Sequence, residues 1–323
     1  MKYRKVGKTD VSVSEISLGC WTMGGPNWNR GQAIGWAEPD EKELSEAVHY
    51  AIDQGVNHFD NADVYGDGIA ERRLAKALEG TTKDVVIATK VGHFQGTAPH
   101  AYTPLHIRQQ CEQSLENLRR DHVDIYYFHH GDFGENDRYL DGAVETVRKL
   151  RKEGKIRLIG LSAYGNDDFQ RLVPVIEPDV LQAHASVMSD NMVRPGNPVP
   201  KLMEERGLSM VCFSPLERGL LLDKFDPKKP PEFPEGDHRR GRELFGAESL
   251  KKIHAKLAKV KKRFGGATAD LARIALQFLL AHKYVCCPIV GFRNIKQVKT
   301  DLAAADNPLS QEDVEFLREV FAE

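Results

Sequence analysis

The chain has 323 residues, 41% of them hydrophobic and 28% charged, and its 45 basic and 47 acidic side chains leave a formal charge of −2. That balance excludes a disordered or collagen-like chain and supplies no basic field for a nucleic-acid backbone or an anionic lipid surface, so neither is expected as a partner. Five cysteines, an odd number without a C-x-x-C pair, signal neither a disulfide framework nor a zinc site. The start lacks the apolar core of a signal peptide and no run is long enough to span a membrane, so a cytoplasmic protein is expected.

Residues 1–14 read as a small hairpin, with Lys8-Thr9-Asp10 turning between 3–6 and 11–13. Short β-branched or apolar runs follow at 16–18, 57–60, 85–89, 125–128, 156–162, 180–183, 210–213 and 285–289. Between them lie helical patterns such as 41–53, 69–78 and 104–118; in the last, Pro104 suits a first turn and Leu105, Cys111, Leu115 and Leu118 keep helical spacing. Eight strand-then-helix units in this length predict an α/β fold, a (β/α)8 TIM barrel forming one domain over 1–323. The hairpin would plug the barrel bottom and a helical extension would close the C-terminus. Residues 223–246, rich in Pro, Gly and charge, are the one long irregular stretch, a length that usually signals function or disorder.

Barrel enzymes carry their chemistry at the C-terminal ends of strands, and four residues stand there. Asp60 ends 57–60, Tyr65 follows in the next loop, Lys90 ends 85–90 and His129 ends 124–129. Taken singly, each has a bland reading as a cap, a loop aromatic, a solvated cation or a packed imidazole; on one rim they form a site. Rival motifs fail on particular residues. Gly66-Asp67-Gly68-Ile69-Ala70-Glu71 imitates a dinucleotide fingerprint but has Glu71 in place of the third glycine. A calcium loop counted from Asp63 meets Tyr65 at its third position and Leu74 at its twelfth. His129 and His130 are adjacent on a strand, point to opposite faces and cannot share a metal.

The ordered motifs resemble the aldo-keto reductase family. Phe59-Asp60-Asn61-Ala62-Asp63-Val64-Tyr65-Gly66 with Glu71 and Leu74 resembles its Asp-Tyr signature, Ala88-Thr89-Lys90-Val91-Gly92 its lysine strand, and Asp124-Ile125-Tyr126-Tyr127-Phe128-His129 its histidine strand. Gly154-Lys155-Ile156-Arg157, Ile159-Gly160-Leu161-Ser162, the run from Ser214 to Leu221 and Ile289-Val290-Gly291-Phe292-Arg293-Asn294 add further matches. The resemblance runs from about residue 2 to the last helix. It implies carbonyl reduction with NADPH, or NADH, on a small-molecule substrate, with Asp60, Tyr65, Lys90 and His129 catalytic, Tyr65 as general acid/base and no metal required. A free tyrosine is a poor acid near neutrality at a pKa of about 10, so a Lys90 ammonium paired with Asp60 is expected to favour the phenolate.

The resemblance also assigns the cofactor's path. Ser162 and Gln182 match residues that hold the nicotinamide carboxamide and Phe213 the aromatic that stacks on its ring, while Ala163 stands where the family usually has asparagine. Ser214, Leu216, Arg218, Gly219 and Lys224 match the pyrophosphate side. Gly291, Phe292, Arg293, Gln297 and Asp301 match the adenosine end, with Arg293 the candidate for a 2′-phosphate and Asp301 replacing a common asparagine. Trp21 matches a pocket position shared by cofactor and substrate; Trp28, Trp36 and His130 are further substrate-side candidates. Tyr164 and His184 are unusual beside these motifs. Two other readings remain open at this stage: a cofactor-sensing regulatory subunit like the barrel subunits of some potassium channels, and a metal-dependent barrel lyase, for which only Asp60 and His129 offer ligands.

Overall fold

The computed structural model describes residues 1–322. Strands β1 (Tyr3–Lys5) and β2 (Ser12–Ser14) pair antiparallel as the expected hairpin, with Arg4 opposite Val13. Then come β3 (Ser17–Gly19), a two-stranded excursion of β4 (Trp28–Asn29) and β5 (Gln32–Ala33), helix α1 (Glu41–Asp53), β6 (His58–Asp60), α2 (Ile69–Ala77), β7 (Val86–Val91) and α3 (Pro104–Leu118). The alternation continues through β8 (Val123–Phe128), α4 (Leu140–Lys152), β9 (Ile156–Ser162), α5 (Asn166–Ile176), β10 (Val180–His184) and α6 (Pro198–Arg206). It ends with β11 (Met210–Phe213), α7 (Ala247–Phe264), α8 (Thr268–Leu280), β12 (Val285–Gly291), α9 (Ile295–Leu302) and α10 (Gln311–Ala322).

Among the described residues, eight parallel strands, β3 and β6 to β12, close into a barrel in sequence order. The TIM barrel expected from the sequence is the fold. Helices begin where the chain supplies caps: the Asp40 carboxylate accepts from the Lys42 and Glu43 amides at 2.9 Å, and Asn294 accepts from Gln297 at 3.1 Å. Two helices exceed the eightfold pattern. α7, inserted before α8, packs against the terminal α10, where Arg263 meets Asp313 at 3.0 Å and Lys256 donates to the Phe321 carbonyl at 3.1 Å.

The core divides in two. One part lies between strands and helices; the other fills the barrel with Ala88, Ile125, Tyr127, Leu158, Val180, Val211 and Ile289, and hairpin residues Val6, Val11 and Val13 complete it from below. The hairpin is therefore the plug at the barrel bottom. Gly160 faces this interior because a Cβ there would stand 2.2 Å from the Tyr127 ring.

Strand parity then sets the upper layer. Side chains two residues beyond an inward one also point inward, so Ala88 leads to Lys90, Tyr127 to His129, Gly160 to Ser162, Val180 to Gln182 and Val211 to Phe213. Residues 223–246, expected as functional or disordered, fold as a strap across this rim: Gly236 accepts from the Gly35 amide at 3.1 Å and His238 donates to the Gly35 carbonyl at 2.9 Å. Buried Asp237 anchors the strap through Arg239 at 2.6 Å, and the Arg239 guanidinium sits 4.3 Å from the Trp36 ring and 4.2 Å from that of Phe233.

Candidate active site

The ladder extends past the ends of β6 and β8. The Asn61 amide donates to the Ala88 carbonyl at 2.8 Å, Asp63 to Lys90 at 3.2 Å and His129 to Val91 at 2.9 Å, so the loops after β6 and β8 leave the barrel in fixed directions. Within this frame Lys90 and Asp60 are buried, with the ammonium 2.5 Å from Asp60 Oδ2. Nζ also reaches the Asn61 carbonyl at 2.6 Å and the Tyr65 hydroxyl at 3.3 Å. An ammonium has three protons, so these contacts saturate it. The other Asp60 oxygen accepts from Gln182 Nε2 at 2.8 Å. Gln182, expected on the nicotinamide amide, is here also the second partner of Asp60.

Tyr65 lies between Trp21, stacked at 6.0 Å between centroids, and His129, edge-on at 5.9 Å. Burial pushes its hydroxyl well above the ordinary tyrosine value, and the Asp60 carboxylate pushes the same way. This corrects the expectation that Lys90 favours the phenolate: Asp60 lies against the ammonium and offsets its field, and desolvation opposes the phenolate. Burial likewise drives His129 well below the ordinary histidine value, aided by His93 and Lys90, so its imidazole is neutral, and its buried Nδ1 has no partner.

The other sequence-derived residues divide. Ser162 is buried beside Gln182 across the β9–β10 ladder, and Phe213 ends β11 half-buried. Ser214 and Arg218 both take left-handed backbone, with φ of 56° and 57°, in a turn that includes half-buried Leu216 and Gly219. The Arg218 Nε is shut from water and unpartnered. Lys224 lies close enough to influence buried Asp301, whose carboxyl burial raises to about 8. Gly291 ends β12, and the Phe292 side chain is wholly buried, its carbonyl accepting from Thr22 Oγ1 at 2.5 Å. Arg293 reaches the Ala37 and Glu38 carbonyls at 3.0 and 2.5 Å, and Gln297 accepts from the Arg293 amide at 2.8 Å.

On the substrate side, Trp21 is central: its ring meets Trp36 and His238 as well as Tyr65, and its N–H donates to Ile34 at 2.8 Å. Trp28 sits apart. It is 49% exposed on β4 over Gly236 and shares no ring contact with Trp21, Tyr65 or His129 among the described residues. The His130 ring lies 4.9 Å from that of His93, but its Nε2 is 3.0 Å from the Gly92 carbonyl and its Nδ1 accepts from the Asp132 amide, so backbone occupies both ring nitrogens.

Sequence reasoning missed His93, whose ring packs 4.3 Å from His129 and whose Nε2 lies 3.3 Å from the Tyr164 hydroxyl. It also missed Glu217. That buried carboxylate accepts from Ser186 Oγ at 2.5 Å and lies 2.7 Å from His184 Nε2, an explanation for unusual His184 that no local motif carries. His93 stands three residues beyond Lys90, a position that rim geometry singles out.

The family model for the aldo/keto reductase family matches residues 15–322, and the chain belongs to that family. It is 30% identical over 288 residues to the NADP(+) aldo-keto reductase yakc of Schizosaccharomyces pombe, covering 87% of this chain and 83% of that protein. The NADH-specific methylglyoxal reductase of Escherichia coli is 26% identical, with 99% and 98% covered. Among solved structures, the holo form of the aldo-keto reductase AKR11C1 from Bacillus halodurans superposes with a TM-score of 0.76 at 26% identity, covering 99% of this chain and 96% of that one. Named relatives of this family are oxidoreductases, and this chain is one by membership.

The saturated ammonium yields a stability prediction. Lys90→Met strands a buried carboxylate and should cost ~3–5 kcal/mol in urea denaturation. Adding Asp60→Asn to Lys90→Met should recover part of that loss; a double variant no more stable than Lys90→Met would show that Asp60 is not held by the ammonium.

Proposed function

We propose that the protein reduces aldehydes or ketones to alcohols, reversibly, with NADPH preferred over NADH and Tyr65 as the proton donor. One observation carries this reading. The Tyr65 oxygen accepts a hydrogen bond from the saturated Lys90 ammonium, which leaves the hydroxyl's own proton to be donated to a carbonyl oxygen in the cleft. The raised hydroxyl value supports an acid that stays loaded at neutral pH, and transfer becomes favourable only as negative charge grows on the acceptor. His129, neutral and beside Tyr65, would orient that oxygen. In the reverse direction Tyr65 would take the proton back, with Lys90 and Asp60 holding its oxygen in place.

The residues present fit a nicotinamide dinucleotide, which when bound supplies the hydride. Arg218 has a water-excluded, unpartnered Nε in a cradle of left-handed backbone, an unmet demand for an anion such as a pyrophosphate. Phe213 offers a half-exposed ring for the nicotinamide, beside Ser162 and Gln182. At the position where the family resemblance expects asparagine, Asp301 with its value near 8 is mostly protonated at neutral pH. A protonated carboxyl both donates and accepts, as an amide does, and does not repel a phosphate.

The NADPH preference rests on Arg293. Burial lowers its ordinary value, and nearby Arg239 adds to the effect. Arg239 is held by Asp237, whereas the Arg293 guanidinium meets only backbone carbonyls, which favours an anionic guest such as a 2′-phosphate. Relatives are named for either cofactor, NADP(+) for one and NADH for another, so the choice turns on this arginine.

The test is consumption of nicotinamide absorbance with a panel of aldehydes and ketones. Wild type should turn over, Tyr65→Phe should lose ~10²–10⁴-fold in rate, and cofactor affinity followed by tryptophan fluorescence should hold within a few-fold. A Tyr65→Phe enzyme keeping most of its turnover would remove Tyr65 from the chemistry. Arg293→Ala should weaken NADPH by about 1.5–3 kcal/mol and spare NADH; an equal loss for both would contradict the 2′-phosphate contact.

A further inference from the structure

Six rim positions form one continuous arc of rings. Trp21 stacks on Tyr65 at 6.0 Å, Tyr65 meets His129 at 5.9 Å, and His129 meets His93 at 4.3 Å. His93 Nε2 then bridges to the Tyr164 hydroxyl at 3.3 Å, and Tyr164 meets Phe213 edge-on at 6.2 Å. The first half of the arc is a tryptophan face and the proposed proton donor. The second half is different: a neutral donor and acceptor pair spans the mouth from the loop after β7 to the loop after β9. Tyr164 is 59% exposed, so this bond closes no core and stabilises little. Its members are free to exchange it for a guest.

We propose that His93 and Tyr164 determine specificity, and that the substrate is an uncharged α-hydroxy carbonyl whose hydroxyl replaces the bond between them. The proposal rests on the carbonyl-reductase reading and narrows it. In the reading above the carbonyl oxygen sits at Tyr65 and His129, and His93, packed 4.3 Å from the His129 ring, is the polar ring next to that place, available to a hydroxyl on the neighbouring carbon. An imidazole nitrogen and a phenol hydroxyl together match a hydroxyl, which both donates and accepts. Around a carboxylate in that place the Lys90 ammonium already donates three hydrogen bonds, burial holds His93 down to about 4, and Arg218 serves the pyrophosphate side in the reading above.

Size of effect follows from the pair's mutual bond. A site that strands a buried polar group rejects the analogue lacking a hydroxyl by ~10⁴-fold or more, but here His93 and Tyr164 satisfy each other when no hydroxyl arrives. The discrimination should be about 10–100-fold. Hydroxyacetone and butanone, which differ by a hydroxyl for a methyl, measure it directly. Wild type should favour hydroxyacetone by about tenfold or more in kcat/KM. Tyr164→Phe and His93→Phe should each bring that ratio toward one, mainly through the KM for hydroxyacetone, and His93→Gln, which keeps a donor and an acceptor, should retain part of it. Tyr164→Phe alters an exposed side chain and should fold even if a His93 variant does not. A wild-type ratio near one, or a ratio that survives both phenylalanine variants, overturns the assignment. If benzaldehyde is reduced while the ratio is flat, only the substrate class falls; if no carbonyl consumes the cofactor, the reductase reading falls and this proposal with it.

Discussion

A buried ammonium with exactly as many acceptors as protons is the constraint on which the site depends. Lys90 comes from β7, its counterion Asp60 from β6, its second acceptor from the Asn61 backbone and its third from Tyr65 in the loop beyond. A charge in that low-dielectric interior must be paired and hydrogen-bonded to persist. The loop between Asn61 and α2 must therefore turn back so that Tyr65 reaches the ammonium. It does so through left-handed Gly66, Asp67 and Gly68, and a Cβ at Gly66 would stand 2.3 Å from the Gly24 carbonyl. The loop that carries Tyr65 is thus keyed to the loop after β3 that carries Trp21.

Across the rim the same logic appears with reversed charge. Ser214, Glu217 and Arg218 hold left-handed backbone within five residues, each costing about 1–2 kcal/mol. The Glu217 carboxylate, held below its ordinary value by His184, Ser186 and Arg218 although burial pushes it up, ties that turn to the end of β10 and offsets the strain. Stored strain of this kind belongs where a backbone must face a ligand, and here Leu220 and Leu221, just beyond the turn, anchor it in the core.

The barrel was legible because its signal is periodic. The strands at 156–162 and 210–213 and the helices at 41–53 and 104–118 match the structure residue for residue, and the other strands shift by one or two residues at one or both ends. Once the strands are known, parity alone sends Lys90, His129, Ser162, Gln182 and Phe213 inward at the top, so these candidates needed no tertiary information. His93, Glu217 and the strap did need it. Their contacts join loops whose relative positions exist only after the barrel closes, and no local pattern encodes that distance. Trp28 and His130 were candidates by proximity in sequence, yet one packs on a glycine outside the ring cluster and the other gives both nitrogens to backbone. The direction of the Tyr65 shift is hidden from the sequence for a related reason: sequence displays the cation and its Asp60 partner, whereas the burial that opposes the phenolate emerges only on folding.

The central claim is that the fold keeps Tyr65 protonated rather than pre-ionised. Direct titration of the phenol, with ring-labelled tyrosine followed by carbon NMR and the signal assigned by its loss in Tyr65→Phe, measures this without any substrate. The Tyr65 resonance should stay at its protonated position as pH rises past the ordinary tyrosine value of about 10. Ionisation at or below that value would mean that Lys90 outweighs burial and Asp60, and would contradict the account.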